Sequence, residues 1–477
     1  MEKSALIAGL EALLGKDRVL TDEQVILDCS KDYIGFRVYE RFDGRFDVPR
    51  AACVVKPKNT NEVSAALRFL NEYKVDTVPR TGGSSVTLGL EPQEGGVILD
   101  GSDMNEIIGL NEYDMMVTVR CGTPLAYLEN YLNERGYTTG HQPQSLPMAQ
   151  VGGLVATRSI GQFSTLYGGI EDLLMGLEAV LPCGEVVRIK NNPRRSVGPD
   201  LRHLFIGSEG MLGFITEATL KIFKYKPEDR WMNAYAIRHM KDGLALFREI
   251  MVEGYRPAVM RLHDEVEVET LFEGVAPDEY NLLLFVAEGP KPVADATGAF
   301  IDEAIRKYDY VDLGKKPVES WLVTRNDTCD DMDRPKYYKM RAVADTCEIS
   351  APWSVIGEIH SAVRERMPEE LDNLVTVGGH SSHSYVQGTN IYFTFGYFLG
   401  MKGGEYARPD YMHVVKIIME ETLKRGGSIA HHHGSGKYRT QWMPEEHGSS
   451  YTLLYKLKEA LDPNGIMNKG VLLVERE

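Results

Sequence analysis

The sequence predicts an α+β protein of two packed units followed by a C-terminal segment. Three observations carry this: short apolar runs bounded by glycine and proline, apolar residues at helical spacing between them, and a second half in which strand-like and longer helical runs alternate. Residues 4–15 and 22–28 read as short helices and the aromatic, charged tract 33–48 as irregular, so residues 1–46 form an N-terminal helical segment. Ala52-Cys53-Val54-Val55 is a short buried strand. Thr60 is expected to cap a helix whose Val63, Ala66, Leu67 and Leu70 share one face. The next strand ends at Pro79 and runs into a glycine-rich turn. Further strands are expected at 97–100, 115–119, 177–181, 186–189 and 213–220, and a helix over 124–135 is closed by Gly136. The first α+β unit therefore spans 47–225.

The charged, proline-containing stretch 224–230 marks a boundary. Beyond it, helices over 243–254 and 292–308 alternate with strands at 281–287 and 390–395, which predicts a second α+β unit with an antiparallel sheet over 226–425. Residues 426–477 carry a histidine run and a helix near 450–461. There is no internal repeat or low-complexity segment.

A net charge of −16 argues against nucleic acid or an anionic membrane surface as a partner. No stretch approaches the roughly 18 apolar residues of a membrane span, and the N-terminus has no apolar signal region. Six cysteines lack any C-x-x-C pair, so reduced thiols and a cytoplasmic location are expected, and the C-terminal Val-Glu-Arg-Glu is not a peroxisomal address.

The turn Pro79-Arg80-Thr81-Gly82-Gly83-Ser84-Ser85 can form an anion-binding nest, because glycine permits close backbone approach and the hydroxyls and loop N–H groups donate to phosphate oxygens. It is neither a Walker loop nor a Rossmann turn. Two more glycine-punctuated stretches lie close to strands: Val151-Gly152-Gly153-Leu154-Val155-Ala156-Thr157-Arg158-Ser159, and Gly207 onward through Glu209-Gly210-Met211-Leu212-Gly213-Phe214-Ile215. Over residues 47–225 the three together resemble the FAD domain of the vanillyl-alcohol-oxidase and p-cresol-methylhydroxylase superfamily. The resemblance implies a two-subdomain FAD-binding (PCMH-type) domain, an α+β cap, and a C-terminal segment returning to the flavin. It also implies that Pro79, Arg80, Thr81, Gly82, Gly83, Ser84 and Ser85 hold the pyrophosphate. Gln144, Ser145, Gln150, Gly152, Gly153, Thr157, Arg158, Ser159 and Ile160 would embrace the flavin, and Glu209, Gly210, Leu212, Gly213 and Ile215 would close the site. Relatives that attach flavin covalently through this loop use histidine where this chain has Ser84, so a dissociable, noncovalent FAD is expected.

Flavin dehydrogenases of 2-hydroxy acids, also similar in the cofactor domain, bind a divalent metal through two histidines where this chain has Tyr385 and Tyr392. No metal is therefore expected. The closer resemblance, over about 50–473, is to the alkyldihydroxyacetonephosphate (alkylglycerone-phosphate) synthase family. It rests on His-His-His-Gly-x-Gly-Lys-x-Arg-x-Gln-Trp from His431 to Trp442, Ile-Tyr-Phe-x-Phe from Ile391 to Phe395, Ser-Ala-Pro-Trp from Ser350 to Trp353, and Ser196-Val197-Gly198-Pro199-Asp200. That resemblance implies Tyr392 as acid/base, His431, His432 and His433 at the polar end of the substrate, and a substrate-holding arginine that is either Arg325 or Arg341. Arg261 matches another pocket arginine.

Three adjacent imidazoles beside glycines cannot all face a core, so some line a polar cavity, and one of the three is expected to be structural. A phenol with a pKa near 10 serves as a base only if neighbouring cations lower it, and arginine and protonated histidine are expected to do so. Tyr392 also fits a core position, and Arg325 and Arg341 taken singly fit surface ion pairs. These observations imply an FAD-dependent oxidoreductase acting on a small hydroxylated substrate. The rivals are the redox-neutral synthase exchange, against which Asn390 stands where that family has cysteine, and a flavoprotein subunit handing electrons to an acceptor protein. A homodimer is expected.

Overall fold

The computed structural model describes residues 1–44, 48–329 and 334–475. Two sheets build the first unit. Cys53–Val55, Val97–Asp100 and Thr77–Arg80 run parallel in that spatial order, with Val19–Leu20 antiparallel at one edge. Parallel strands are covered on both faces and need continuous apolar runs, which Cys53-Val54-Val55 and Val97-Ile98-Leu99 supply. The helix Thr60–Glu72 packs Val63, Ala66, Leu67 and Leu70 against them. Its cap is Asn59 rather than Thr60: Asn59 has extended backbone angles and its side chain accepts from the Glu62 N–H, while Thr60 is already helical. The second sheet is antiparallel, in the order Ile107–Asn111, Met116–Arg120, Phe214–Lys221, Leu174–Val180, Val186–Ile189.

The tract expected to be irregular contains a helix, Arg37–Asp43, and residues 45–47 of it lie outside the described residues. Local pattern could not reveal this helix, because it is fixed by tertiary contacts: its buried Arg37 pairs with Asp32, Glu40 and Glu91.

The second unit is a seven-stranded antiparallel sheet ordered Tyr310–Gly314, Trp231–Ile237, Asn281–Ala287, Val259–His263, Leu374–Ser381, Gly388–Phe398, Ala342–Pro352. Helices Met240–Val252, Lys291–Ala304, Trp353–Glu370 and Ala407–Lys424 cover one face. Strand alternation sorts the side chains. Met260, Leu262, Val377, Ile391, Phe393, Phe395, Cys347 and Ile349 enter the helix-covered core. Arg261, His263, His380, Tyr392, Thr394, Thr346 and Glu348 occupy the opposite face. Register then aligns them: His263 pairs with His380, His380 with Tyr392, and Tyr392 with Glu348, giving one polar row across four strands.

The C-terminal segment returns to the first unit. After the helix Tyr451–Leu461, Met467 bridges to Thr77 alongside the strand that leads into the glycine-rich turn. Among the described residues no helix is long and apolar enough to cross a membrane.

Candidate active site

The turn after Thr77–Arg80 is shaped by close backbone approach. A Cβ on Gly82 would lie 2.5 Å from the Met148 carbonyl oxygen, and Gly83 has φ +67°. The stretch 151–156 is a short helix, not merely a loop. A Cβ on Gly152 would meet Cys121 at 2.6 Å and one on Gly153 would meet the Thr81 hydroxyl at 2.8 Å, so both glycines seat this helix against the turn. Arg80 bonds Asp100 (2.6 Å), Ser85 bonds Thr87 (3.1 Å), and the Thr157 hydroxyl caps the Gly153 carbonyl (2.9 Å). Ser145 carries the turn that leads to Gln150, and the Gln144 carbonyl accepts from Cys329. Ser159 and Ile160 are buried, whereas Arg158 is half exposed and pairs with Glu171.

Glu209, at φ +47°, accepts the N–H groups of Ser435 (2.7 Å) and Gly436 (2.9 Å), and Gly210 packs on Pro79. Burial pushes the Glu209 carboxyl up to about 7 despite those two donors. Leu212 and Ile215 are buried beside Gly213, at the start of strand Phe214–Lys221.

Among the described residues Arg80 Nε and Gln150 Oε1 in this cradle and Asn468 Oδ1 beside Glu209 lack a protein partner, as do, elsewhere in the first unit, both ring nitrogens of His141. An unpartnered buried polar group is costly, so such a set fits a polar ligand. The glycine-floored turn and these atoms together suit a dinucleotide. His141 was missed in the sequence, where a lone histidine carries no pattern; burial holds its pKa at about 4.

The polar row of the second unit is the candidate substrate side. The Tyr392 ring lies between His380 (centroids 4.9 Å, 25°) and His432 (5.5 Å, 14°). Its hydroxyl accepts from Thr346 Oγ1 (3.0 Å) and meets His433 Nε2 at 3.2 Å. His433 Nδ1 in turn lies 3.0 Å from Glu348 Oε2, off the line of a hydrogen bond. Burial, together with Glu348 and Asp345, raises the Tyr392 pKa against the opposing Thr346 bond. The expected lowering by cations is thus overturned: among the described residues no arginine bonds the hydroxyl, the charge of Arg334 is outweighed, and the phenol rests neutral. Four imidazoles around it, His380, His383, His431 and His432, are neutral as well. Burial holds His431 and His380 at about 4 and His383 and His432 well below the usual range.

Glu348 organises the run. Oε1 accepts the backbone N–H of His431 (3.2 Å), His432 (3.1 Å) and His433 (2.9 Å), while Arg439 binds both oxygens at 3.1 and 2.6 Å. Both partners are fully buried. Burial opposes the charge on Glu348, but Arg439 and His433 outweigh it and hold the carboxyl well below its usual range.

Arg261 belongs to the site: it donates from Nε to His263 Nε2 (3.2 Å) and from Nη2 to His380 Nε2 (2.9 Å). Both imidazoles turn Nδ1 to Glu267, at 2.6 and 2.9 Å. Burial lowers Arg261 to about 10. Arg325 bonds Gln162 (2.7 Å) and Gln142 (2.8 Å) in a polar cavity of about 290 Å³ that it shares with Glu129, Arg230 and Glu288. Arg341 does not belong: it donates to the Gly400 and Lys402 carbonyls, at the end of strand Ala342–Pro352 remote from Glu348. Tyr385 contacts His431 Nε2 (2.8 Å), and Asn390 accepts the N–H of Ser382 and His383, both at 2.9 Å.

Comparison with known proteins places this geometry. Residues 51–190 match an FAD binding domain and residues 226–472 the C-terminal domain of FAD linked oxidases. An uncharacterized FAD-linked oxidoreductase of Escherichia coli O157:H7, YgcU, is 47% identical over 99% of both chains. Alkyldihydroxyacetonephosphate synthase of Caenorhabditis elegans is 28% identical over 88% of this chain and 75% of its own. A solved alkyldihydroxyacetonephosphate synthase structure superposes with a TM-score of 0.80 at 22% identity, over 98% of this chain and 85% of that one. FAD is therefore the cofactor, and the chain belongs to the FAD-linked oxidoreductases of the vanillyl-alcohol-oxidase and p-cresol-methylhydroxylase superfamily.

Proposed function

We propose that the chain oxidises a small hydroxylated substrate over FAD, with Tyr392 passing the hydroxyl proton to His433. The observation that carries this reading is the Tyr392 hydroxyl held between the Thr346 donor and His433 Nε2, with Glu348 behind the imidazole. A neutral phenol cannot take a proton and keep its own. As the substrate oxygen gives its proton to Tyr392, the phenol proton moves to His433 Nε2, and the imidazolium forms 3.0 Å from the Glu348 carboxylate. FAD supplies the acceptor for the hydride leaving the adjacent carbon. Arg261, braced by His263 and His380, anchors the acceptor-rich end of the substrate, and the His431–His432 edge orients its hydroxyl. Arg325 supports the wall of the pocket through Gln142 and Gln162.

The test is anaerobic mixing of FAD-loaded protein with candidate alcohols and hydroxy acids. Bleaching of the oxidised flavin absorbance by at least one of them is the expected outcome. A stable adduct spectrum with an acylated ketone phosphate, and no bleaching with any alcohol, favours the synthase exchange. Transfer of electrons from reduced protein only to a copurifying protein favours the electron-transfer subunit.

Ser84 offers no nitrogen for a histidyl bond to the flavin, and on that ground FAD is held noncovalently. Acid precipitation is expected to leave all flavin in the supernatant; flavin retained by the pellet contradicts this.

A further inference from the structure

Two histidine clusters on the polar face bring three ligand atoms within 4.8 Å of one another: His383 with His431 and His432, and His263 with Glu267 and His380. They differ in what already occupies their lone pairs. In the second cluster both imidazole Nε2 atoms accept from the Arg261 guanidinium and both Nδ1 atoms face Glu267. A cation already fills that array.

The first cluster has no cationic side chain bonded to its ring nitrogens among the described residues. His383 Nδ1 bonds the Ser164 hydroxyl (2.8 Å) and His431 Nε2 bonds the Tyr385 hydroxyl (2.8 Å), which leaves His383 Nε2 and His431 Nδ1 facing inward. His431 Nδ1 meets His432 Nδ1 at 2.8 Å, close enough for both lone pairs to face one metal ion. The backbone of each ligand is pinned: His383 by Asn390 Oδ1 and the Thr389 hydroxyl, His431 and His432 by Glu348 Oε1. Ser164 on His383 and Tyr385 on His431 are outer partners of the kind that accompany histidine metal ligands, because they fix tautomer and ring direction.

We propose that His383, His431 and His432 form a three-imidazole site for one divalent transition metal of the zinc class, with a remaining coordination position for a substrate oxygen. Neutral nitrogen ligands without a carboxylate select zinc-like ions over magnesium or calcium. The His432 ring stacks on Tyr392, so the ion lies next to the group proposed to take the substrate proton. The expectation of a metal-free pocket weighed Tyr385 and Tyr392 as missing ligands; Tyr385 instead braces His431, and His383, two residues before it, supplies an imidazole.

The test does not depend on the reaction proposed above, because it reads binding to the resting protein. FAD-loaded protein is stripped with chelator, dialysed, and titrated with zinc chloride by calorimetry, with metal content checked by mass spectrometry. One equivalent is expected to bind, His383→Ala is expected to weaken binding at least about 100-fold, and Ser164→Ala, which removes only the outer partner, about 10–100-fold. Flavin retention monitors folding, and Ser164→Ala still decides the matter if His383→Ala fails to fold. No zinc binding by wild type, wild-type affinity in both variants, or loss of the site on His263→Ala with His383→Ala unaffected overturns the proposal.

Discussion

Replacing Tyr392 by phenylalanine is expected to slow flavin reduction by substrate about 10²–10⁴-fold, the usual size of positioned acid–base catalysis, while FAD content and unfolding midpoint stay near wild type. The substitution removes one oxygen and keeps the ring that stacks between His380 and His432. It breaks the path to His433, so the substrate proton has no acceptor within reach. Single-turnover stopped-flow absorbance separates this step from product release. Because burial raises the phenol pKa, Tyr392 stays protonated through the ordinary tyrosine range, and the wild-type rate should show no tyrosine-like ionisation up to about pH 10. An unchanged reduction rate in Tyr392→Phe makes the residue part of the core and sinks the relay.

Glu348→Ala is expected to cost about 3–5 kcal/mol of stability, the range for stripping one partner from a buried ion pair. The alanine leaves the Arg439 guanidinium unpaired in the interior and three successive backbone N–H groups without their acceptor. Glu348→Gln keeps an amide oxygen for those N–H groups and should recover the part of the stability lost with them, while still leaving the buried Arg439 charge without its counter-charge. It removes the negative charge 3.0 Å from His433, so its chemical step should still be slow. Urea unfolding midpoints and single-turnover rates measured on both variants check the pair of effects. A Glu348→Ala midpoint equal to wild type means that the carboxylate does not hold the histidine run in place.

The elements that were legible in the sequence are those whose burial is uniform or regularly phased. Asn281–Ala287 sits between two neighbouring strands and is apolar on both faces, and Thr60–Glu72 shows a clean helical stripe. Strands Val259–His263, Ala342–Pro352 and Leu374–Ser381 were not read, because one face of each carries the pocket: Arg261 and His263, Thr346 and Glu348, and His380 interrupt the apolar signal. The long helices Trp353–Glu370 and Ala407–Lys424 went unread although each carries a stripe at helical spacing, Ile356, Ile359, Val363 and Met367 in one and Tyr411, Val414, Val415 and Ile418 in the other. For the site, motifs located the residues contiguous in sequence, His431 to His433 and the glycine turns. Glu348, Glu267, His263, His380 and His383 are scattered through the cap, and only the pairing of strands makes them neighbours. Composition likewise could not show that His380, His383, His431 and His432 are neutral and the phenol undepressed, since both follow from exclusion of water.

The return of the C-terminal segment constrains how the protein can be made. The Glu209 carboxylate is held by N–H groups 226 and 227 residues further along the chain, and its carbonyl accepts from Asn468 Nδ2, 259 residues away (2.7 Å). Thr77, at the root of the cofactor turn, pairs with Ile466 and Asn468. As translation proceeds, the FAD-binding unit emerges with its strand edge open and a buried glutamate lacking its donors. Contacts of such long sequence separation close slowly, and they close only after the cap has been synthesised. The cofactor turn is therefore expected to reach its final hydrogen bonding only once the C-terminal segment has been made.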